Sequence, residues 1–423
     1  MRFTLKNFIL LFKEIGYNEY RDFVLHSIHV AKFSYLLAKE LGIPNYDDVF
    51  IVGLFHDIGF ITLNELLKLI NSLNYGDLTK IEHLENIDTH PKISYYLIKN
   101  ITFLEKDAVE AVKYHHSEFS DKTKERFIGS IIKLSDIISW YFFKIKNFED
   151  YAEVIPSLWQ KIEKIKMPEN IKKVSLNILK NYKIIDKLVD NKLHFETFKD
   201  FSVNLSLRES INFTKIIALL QEIRSPTTKD HVFFVSKVSQ KLGEYILGKA
   251  DGMILKMGGY LHDLGKLKTP LKILHKPGPL SEIEQLIMKK HIIDTIDMLN
   301  NSNFENLAIL CGAHHERLDG SGYPFGLTDE YLNVYNRIIA IADYYSALVE
   351  PRPYREALPY KKALLILKKE VDNGKLDNKI FYNLKNLAES DESLQKISYI
   401  DVLEDIFGDN LKNIFSITKK FFD

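Results

Sequence analysis

Histidine and aspartate residues recur in two matched series along this 423-residue chain. The downstream series consists of His231, His262, Asp263, His291, His314, His315 and Asp343. The upstream series consists of His26, His56, Asp57, His90, His115, His116 and Asp136. Matched positions are 199 to 207 residues apart, and ten of the 14 histidines fall in the two series. One pattern therefore occurs twice, which isolated residues such as His29 do not share.

The residue types of each series indicate divalent metal ions. Imidazole and carboxylate without thiolate suit ions such as Fe²⁺, Mn²⁺ and Zn²⁺. Five histidines and two aspartates exceed the needs of one ion and suffice for two. Adjacent residues of a helix diverge by about 100°, so Asp263 can lie between two ions while His262 binds one of them. Two ions can clamp a phosphate and lower the pKa of a bound water towards roughly 7.

Bulk composition excludes several classes of protein. Lys plus Arg and Asp plus Glu each total 57, so the net charge offers no global field for a nucleic acid polymer or an anionic membrane. Lys13 and Glu14 interrupt the apolar residues near the N-terminus, leaving a run too short for a membrane span. The single cysteine, Cys311, precludes an intramolecular disulfide and a thiolate metal cage. We expect a cytoplasmic protein that does not enter a membrane.

The elements that must position these residues are predicted to be helices. Apolar residues recur at three- and four-residue spacing in segments 30–42, 282–299 and 336–349, and alternating runs typical of strands are scarce. Ser281 followed by Glu284 predicts a capping box at the start of the second segment. The length exceeds what a single core usually supports. An all-α fold with two domains is therefore expected.

The motifs around the downstream series resemble those of the HD superfamily of metal-dependent phosphohydrolases, named after its His-Asp pair. From about His231 to residue 380 the chain carries, in order, HDLGK (262–266), ILHKPGPLSEIEQLIMKKH (273–291), HHERLDGSGYP (314–324), RIIAIAD (337–343) and RPYR (352–355). They are similar to the HD-GYP subfamily, whose characterised members are cyclic di-GMP phosphodiesterases. The resemblance implies two tandem helical HD-type domains joined by helical connectors.

Domain boundaries follow from the position of the two series. The segment around Gly322-Tyr323-Pro324 is called the GYP loop. We expect an HD-type domain without this loop in residues 1–150, a helical connector in residues 151–205, and an HD-GYP domain with a helical tail in residues 206–423. Segment 151–192 is charged, lacks histidine and contains Pro156 and Pro168, as expected for connecting helices.

Roles for individual residues are carried over from the resemblance. It implies one metal bound by His231, His262, Asp263 and Asp343, and a second, bridged by Asp263, that is bound by His291, His314 and His315. It also implies that Lys266 lies beside the bridging water or a phosphate oxygen, and that Arg352 and Arg355 contact phosphate. Guanidinium groups suit bidentate contacts with phosphate. Iron and manganese are the expected metals, and the GYP loop is expected to contact partner proteins.

Departures from the subfamily pattern limit these inferences. Some members bind a third metal through a Glu four residues before the first histidine, and here that position is Thr227, so two metals are expected. In the upstream half Phe60 replaces the lysine, and neither a GYP loop nor an RPYR segment is present. Asp22, one helical turn before His26, could add a carboxylate. We interpret this half as a regulatory or scaffolding domain that packs against the other and helps to form a homodimer. Further metals and activity on a different phosphate ester stay open for it.

The resemblance predicts hydrolysis of a cyclic dinucleotide to a linear dinucleotide, and further to mononucleotides as an extension. Asp263 and Lys266 are the expected catalytic residues, and cyclic di-GMP is the expected substrate. Cyclic GMP-AMP is the alternative, because tandem HD and HD-GYP arrangements occur among relatives acting on it. Two further hypotheses are a metal-bound signalling module without catalysis and a di-iron oxygenase.

Overall fold

The computed structural model describes residues 2–16, 20–60, 89–190, 192–195, 197–198, 201–224, 230–351 and 356–418. The regular secondary structure of these residues is almost entirely helical, and their two short strands, Phe3–Thr4 and Asn204–Leu205, pair antiparallel. The all-α prediction is thereby confirmed. Within these ranges no helix has both the length and the apolar character needed to cross a membrane.

The chain forms two compact units that are not simply consecutive. The upstream unit contains the described residues from 20 to 201 together with 410–418, and the downstream unit contains residues 2–16 together with the described residues from 202 to 409. The boundaries expected from the sequence differ from this division in three places. The first residues belong to the downstream unit, the last helix belongs to the upstream unit, and the expected connector up to residue 201 belongs to the upstream unit.

The upstream unit is built around the helix that carries its first histidine. Its helices are Arg21–Glu40, Tyr46–Phe55, His90–Ile98, Lys106–Ala111, Lys124–Phe142, Phe148–Lys164, Glu169–Ile178, Tyr182–Val189 and Leu411–Thr418, with 3₁₀ turns at Val112–Tyr114 and Gly408–Asn410, the latter crossing the boundary between units.

Two polar side chains explain why the expected connector packs within the upstream unit. Lys32 is fully buried, and its Nζ donates to two backbone carbonyls at the end of the helix Tyr182–Val189, at 2.8 and 2.7 Å. The Nε2 of buried His29 lies 2.8 Å from a third carbonyl there. The last carbonyls of a helix have no partner within it, so these contacts satisfy them. His29, to which the sequence assigned no role, is therefore a structural residue.

The downstream unit contains the larger set of helices. They are Leu5–Glu14, Leu207–Ile223, His231–Ile246, Lys249–Leu261, Leu271–Leu274, Glu282–Lys289, His291–Asn301, Glu305–Cys311, Val334–Val349, Tyr360–Asp372, Asn378–Ser390 and Tyr399–Phe407, with 3₁₀ turns at Leu264–Lys268 and Glu392–Leu394.

The helix predicted over 282–299 is two helices in the structure. Its start is as predicted, because Ser281 and Glu284 form a capping box. The first helix then ends at Lys289, and after Lys290 a second helix runs over His291–Asn301. Apolar spacing continues through the junction, so the break could not be seen in the pattern. It places His291 at the start of a helix.

A glycine allows each His-Asp turn to approach the helix that supplies the next histidine. A Cβ on Gly265 would lie 2.0 Å from the carbonyl oxygen of His291, and the Gly265 amide donates to Thr295 Oγ1 at 2.8 Å. The upstream unit repeats this contact, because the Gly59 amide donates to Ser94 Oγ at 2.9 Å. In each unit, the hydroxyl binds the glycine amide, and the absence of a glycine side chain lets the His-Asp turn lie directly against the next histidine helix.

The N-terminal helix Leu5–Glu14 is part of the downstream core. Phe8 is 1% exposed, and its ring centroid lies 5.1 Å from that of Phe213 and 4.9 Å from that of Phe304. The strand preceding this helix pairs with Asn204–Leu205. The packing of aromatic rings therefore explains why the first residues join a unit formed mostly by residues beyond 202.

We expect Phe8→Ala to lower the free energy of unfolding by about 3–5 kcal/mol, because the substitution leaves a cavity in this core. Urea unfolding followed by helical circular dichroism measures the effect. Leu10→Ala, at a half-buried position of the same helix, is the matched control and is expected to cost less. Both tryptophans, Trp140 and Trp159, lie in the upstream unit. If Phe8→Ala shifted only the unfolding transition followed by tryptophan fluorescence, the assignment of this helix to the downstream unit would be contradicted.

Candidate metal centres

The carboxylate of Asp263 lies at the middle of the downstream series. Its Oδ2 is 3.2 Å from His262 Nε2 and 4.0 Å from His231 Nε2. Its Oδ1 is 3.2 Å from His291 Nε2 and 3.7 Å from His314 Nε2. Each oxygen thus faces a different pair of imidazoles, which is the arrangement that a bridging ligand between two ions requires.

Asp343 and His315 complete this cluster, which we call the downstream centre. Asp343 Oδ1 is 3.1 Å from His231 Nε2 and 3.8 Å from His262 Nε2, and Asp343 Oδ2 is 3.9 Å from His315 Nδ1. All seven residues of the downstream series are therefore brought together. Two subsets have ligand atoms close enough to share an ion: His231, His262 and Asp263, and His291, His314 and His315.

Backbone carbonyls orient three of these imidazoles. The Nδ1 atoms of His262, His291 and His314 each lie 2.6 to 2.8 Å from the carbonyl three residues earlier in the chain. A carbonyl only accepts hydrogen bonds, so Nδ1 carries the hydrogen and the lone pair of the neutral ring is on Nε2. These three Nε2 atoms are buried without a hydrogen-bond partner among the described residues. Buried lone pairs aimed at one carboxylate fit a pair of metal ions.

The protonation states of Asp263, His314 and His315 also fit metal binding. Burial alone would raise the pKa of Asp263, but the Lys266 ammonium and the His262 imidazole hold that pKa well below its usual range. Burial lowers the pKa of His315 to about 3 and holds the pKa of His314 well below its usual value. Ionised carboxylates and neutral imidazoles are the forms that bind divalent ions.

The GYP loop packs against the downstream centre. The Tyr323 ring stacks on the His315 ring at a centroid distance of 4.7 Å. The buried carboxylate of Glu316 accepts hydrogen bonds from the amides of Phe325 at 2.7 Å and Leu327 at 2.9 Å. A Cβ on Gly322 would lie 2.4 Å from the backbone of Glu316. The loop is thus fastened by the residue that immediately follows the histidine pair.

The upstream series forms a second cluster with the same arrangement, which we call the upstream centre. Asp57 Oδ2 is 3.3 Å from His56 Nε2 and 3.6 Å from His26 Nε2, whereas Asp57 Oδ1 is 3.1 Å from His90 Nε2 and 3.2 Å from His115 Nε2. Two subsets have ligand atoms close enough to share an ion: His26, His56 and Asp57, and Asp57, His90, His115 and His116.

The remaining candidate ligands of the upstream centre lie near its histidines, with one exception. Asp136 Oδ1 lies 3.4 Å from His26 Nε2, and His116 Nε2 lies 3.2 Å from His90 Nε2. Asp22, considered as an additional carboxylate, is exposed and belongs to neither subset. The upstream centre therefore brings together the seven residues of the series, without Asp22.

Known families match both halves of the chain. The HD domain profile matches residues 23–141, and a second HD domain profile matches residues 214–380. Each match contains one of the two centres. The chain belongs to the HD superfamily. Its downstream half is of the HD-GYP type, in agreement with the motifs.

Individual relatives of this HD protein differ in how much of it they match. The 3′3′-cGAMP-specific phosphodiesterase 1 of Vibrio cholerae serotype O1 is 28% identical over 386 residues, which are 84% of this chain and 85% of that protein. The cyclic di-GMP phosphodiesterase response regulator RpfG of Xanthomonas campestris pv. campestris is 42% identical over 135 residues, 31% of this chain and 34% of that protein. The chain thus matches only about a third of the second relative.

A solved structure supports the fold of the HD protein. A crystal structure of a cyclic GMP-AMP specific phosphodiesterase of Vibrio cholerae aligns with a TM-score of 0.54 at 19% identity, covering 92% of this chain and 98% of that one. At this identity the similarity concerns the fold alone. It confirms the expected all-helical HD architecture.

Several expected contacts of the HD-GYP domain lie outside the described residues. Arg352 and Arg355, expected to contact phosphate, are among them, as is Thr227, the position of the missing third-metal ligand. Lys266 is described, and its ammonium is 2.5 Å from Asp263 Oδ2. Of the three expected substrate contacts, Lys266 alone is therefore located relative to the downstream centre.

Glu350 is a buried residue of the downstream HD domain that sequence reasoning missed. Its Oε2 lies 3.2 Å from His231 Nδ1, on the opposite side of the ring from the centre. Burial would lower the pKa of His231, yet Glu350 and Asp343 raise that pKa to about 10. Glu350 is seven residues after Asp343, two helical turns along the same face, and this spacing was the available signal.

We expect Glu350→Gln to weaken divalent metal binding at the downstream centre by roughly 10- to 100-fold, because carboxylates that orient a ligating histidine contribute that much to affinity. Competition with a chromophoric chelator measures the change. Glu330→Gln, at an exposed position of the same unit, is the control. Equal affinities for the two variants would show that Glu350 does not orient His231.

Proposed function

We propose that the downstream centre hydrolyses a phosphodiester bond of a cyclic dinucleotide and releases a linear dinucleotide. The observation that carries the proposal is the position of Asp263, whose two oxygens face two separate sets of imidazoles. The HD-GYP motifs and the names of relatives, which include both 3′3′-cGAMP-specific and cyclic di-GMP phosphodiesterases, support this reaction class. The protein is accordingly a phosphoric diester hydrolase.

Two divalent ions are proposed at this centre. His231, His262, Asp263 and Asp343 would hold one, and Asp263, His291, His314 and His315 would hold the other. Bound there, the ions supply Lewis-acid activation of a phosphate and of a water. Iron or manganese suits the mixture of imidazole and carboxylate ligands. By the same reasoning we propose ions in the upstream centre, where His56 Nε2 and Asp57 Oδ1 are buried without a hydrogen-bond partner among the described residues.

Lys266 is proposed as the cation that orients and neutralises phosphate at the downstream centre. Its ammonium contacts Asp263 Oδ2 and is only partly buried, so it lies where substrate can reach it. A fixed positive charge stabilises the negative charge that develops on phosphate oxygens during hydrolysis. Arg352 and Arg355 keep their proposed role as additional phosphate contacts.

For the bases of the substrate we propose cyclic GMP-AMP first and cyclic di-GMP second. The relative that matches 84% of this chain, and therefore both units, is named for 3′3′-cGAMP. The relative named for cyclic di-GMP that is described above matches only 31% of the chain. The resemblance by itself favoured cyclic di-GMP. The preference for cyclic GMP-AMP rests on the wider coverage of this chain by the relative named for it.

Two other functions are less well supported. A metal-bound docking module without catalysis would not need Lys266 beside the Asp263 carboxylate. A di-iron oxygenase would not need a cation for phosphate either. The GYP loop as a surface for a partner protein, a cytoplasmic location and a homodimer stay predictions.

Incubation of the metal-loaded protein with cyclic GMP-AMP and cyclic di-GMP is expected to give linear dinucleotides, with faster turnover of cyclic GMP-AMP. Chromatography of the products at several times measures both rates. Removal of the ions with a chelator is expected to abolish turnover, and addition of manganese or ferrous iron to restore it. Absence of turnover with full metal occupancy would favour the docking module, and consumption of oxygen would favour the oxygenase.

Lys266→Ala is expected to lower kcat/KM by roughly 100- to 1,000-fold, the typical effect of removing one preorganised group that stabilises developing charge. Steady-state kinetics, with the metal content of each sample determined, measures the effect. Lys272→Ala, at an exposed position six residues later, is the matched control and is expected to leave turnover unchanged. Equal activity of the two variants would remove Lys266 from the mechanism.

A further inference from the structure

The two HD centres share their ligand geometry but differ in the side chains that surround it. Phe60 stands at the position of Lys266, and Trp140 stands at the position of Ala347. Phe143 stands at the position of Glu350, and Ser139 Oγ instead contacts His26 Nδ1 at 2.6 Å. The upstream centre thus has aromatic residues where the downstream centre has a cation, a small residue and a carboxylate.

The two exposed aromatic rings lie against two different ligands of the upstream centre. The Trp140 ring centroid is 5.1 Å from that of His26, with an interplanar angle of 36°. The Phe60 ring centroid is 5.6 Å from that of His90, with an angle of 88°. His26 and His90 belong to the two different ligand subsets. One aromatic ring therefore borders each subset.

Both rings are largely open to solvent. Trp140 is 60% exposed and Phe60 is 58% exposed. A single exposed aromatic residue needs no explanation, but two exposed rings beside the histidines of one polar cluster offer aromatic faces on which a planar group can stack. At the position of Lys266 the upstream centre has Phe60, so the proposed phosphate-orienting ammonium has no counterpart at that position. The residues proposed to bind ions are of the same types in both centres.

We propose that the upstream centre is a nucleotide-binding site, with the phosphate of the ligand at the ions, the base stacked on Trp140, and Phe60 in contact with the ligand beside His90. The proposal rests on the metal occupancy of the upstream centre put forward above. A nucleotide suits this site because it combines an anionic group for the ions with a planar ring for the aromatic residues. The downstream centre, with its lysine, keeps the hydrolysis of the cyclic dinucleotide.

A chain with Trp159→Phe tests the proposal, because Trp140 is then its single tryptophan. Titration of GMP into the metal-loaded variant is expected to change Trp140 fluorescence with saturation. Ribose 5-phosphate, which has the sugar and phosphate but no base, is expected to bind roughly 5- to 150-fold more weakly, as the loss of about 1–3 kcal/mol of stacking would produce. Equal affinity for the two ligands, or no saturable change with GMP, would overturn the proposal.

Substitution of Phe60 provides the second test. Phe60→Ala is expected to weaken GMP binding several-fold in the single-tryptophan chain. Tyr182→Ala removes an aromatic side chain that is 65% exposed in the same unit and is the matched control. Helical circular dichroism verifies that both variants fold. Equal affinities of the two variants would remove Phe60 from the site.

Metal analysis separates the possible failures. Four ions per chain are expected, two at each centre. Two ions per chain with normal turnover of the cyclic dinucleotide would overturn the upstream metal occupancy, and with it the nucleotide site, while leaving the proposed hydrolysis intact. Four ions per chain and GMP binding without turnover would support the nucleotide site and contradict the proposed hydrolysis.

Discussion

A carboxylate surrounded by imidazoles is the constraint on which each unit depends. Asp263 is 3% exposed, and four histidines direct ring nitrogens at its two oxygens. An ionised carboxylate taken out of water is costly unless positive charge or hydrogen bonds compensate it. Imidazoles whose opposite nitrogens donate to backbone carbonyls can present lone pairs to metal ions, and those ions can compensate the carboxylate. The helices, turns and glycines around the centre position these imidazoles and the carboxylate.

The duplication shows how much of this geometry belongs to the backbone. In both units a glycine after the His-Asp pair lets the turn approach the next histidine helix, and a hydroxyl on that helix accepts the glycine amide. These contacts involve main-chain atoms, a hydroxyl and a missing side chain. These contacts are therefore the same in both units, although the residue two positions after the first leucine or isoleucine of the turn is Lys266 in one and Phe60 in the other. The chemistry of the two centres can diverge without loss of the shared ligand arrangement.

The GYP loop is held against the downstream centre by contacts next to the candidate metal ligands. Glu316 accepts two backbone amides of the loop, and Gly322 allows the chain to pass against the Glu316 backbone. Tyr323 then stacks on His315. The loop is thereby held by a residue adjacent to two metal-ligand candidates. Its position and the orientation of His315 are consequently linked.

Residue types and their spacing determined the all-helical fold, the repeated series and the membership of the HD superfamily, because metal ligands and helix periodicity leave local signals. The two-helix break at Lys290 left none, since apolar spacing continues through it. Glu350, Ser139 and Trp140 acquire their contacts only when distant segments pack. The assignment of residues 2–16 to the downstream unit was likewise decided by tertiary structure, because the burial of Phe8 between Phe213 and Phe304 depends on segments far apart in the chain.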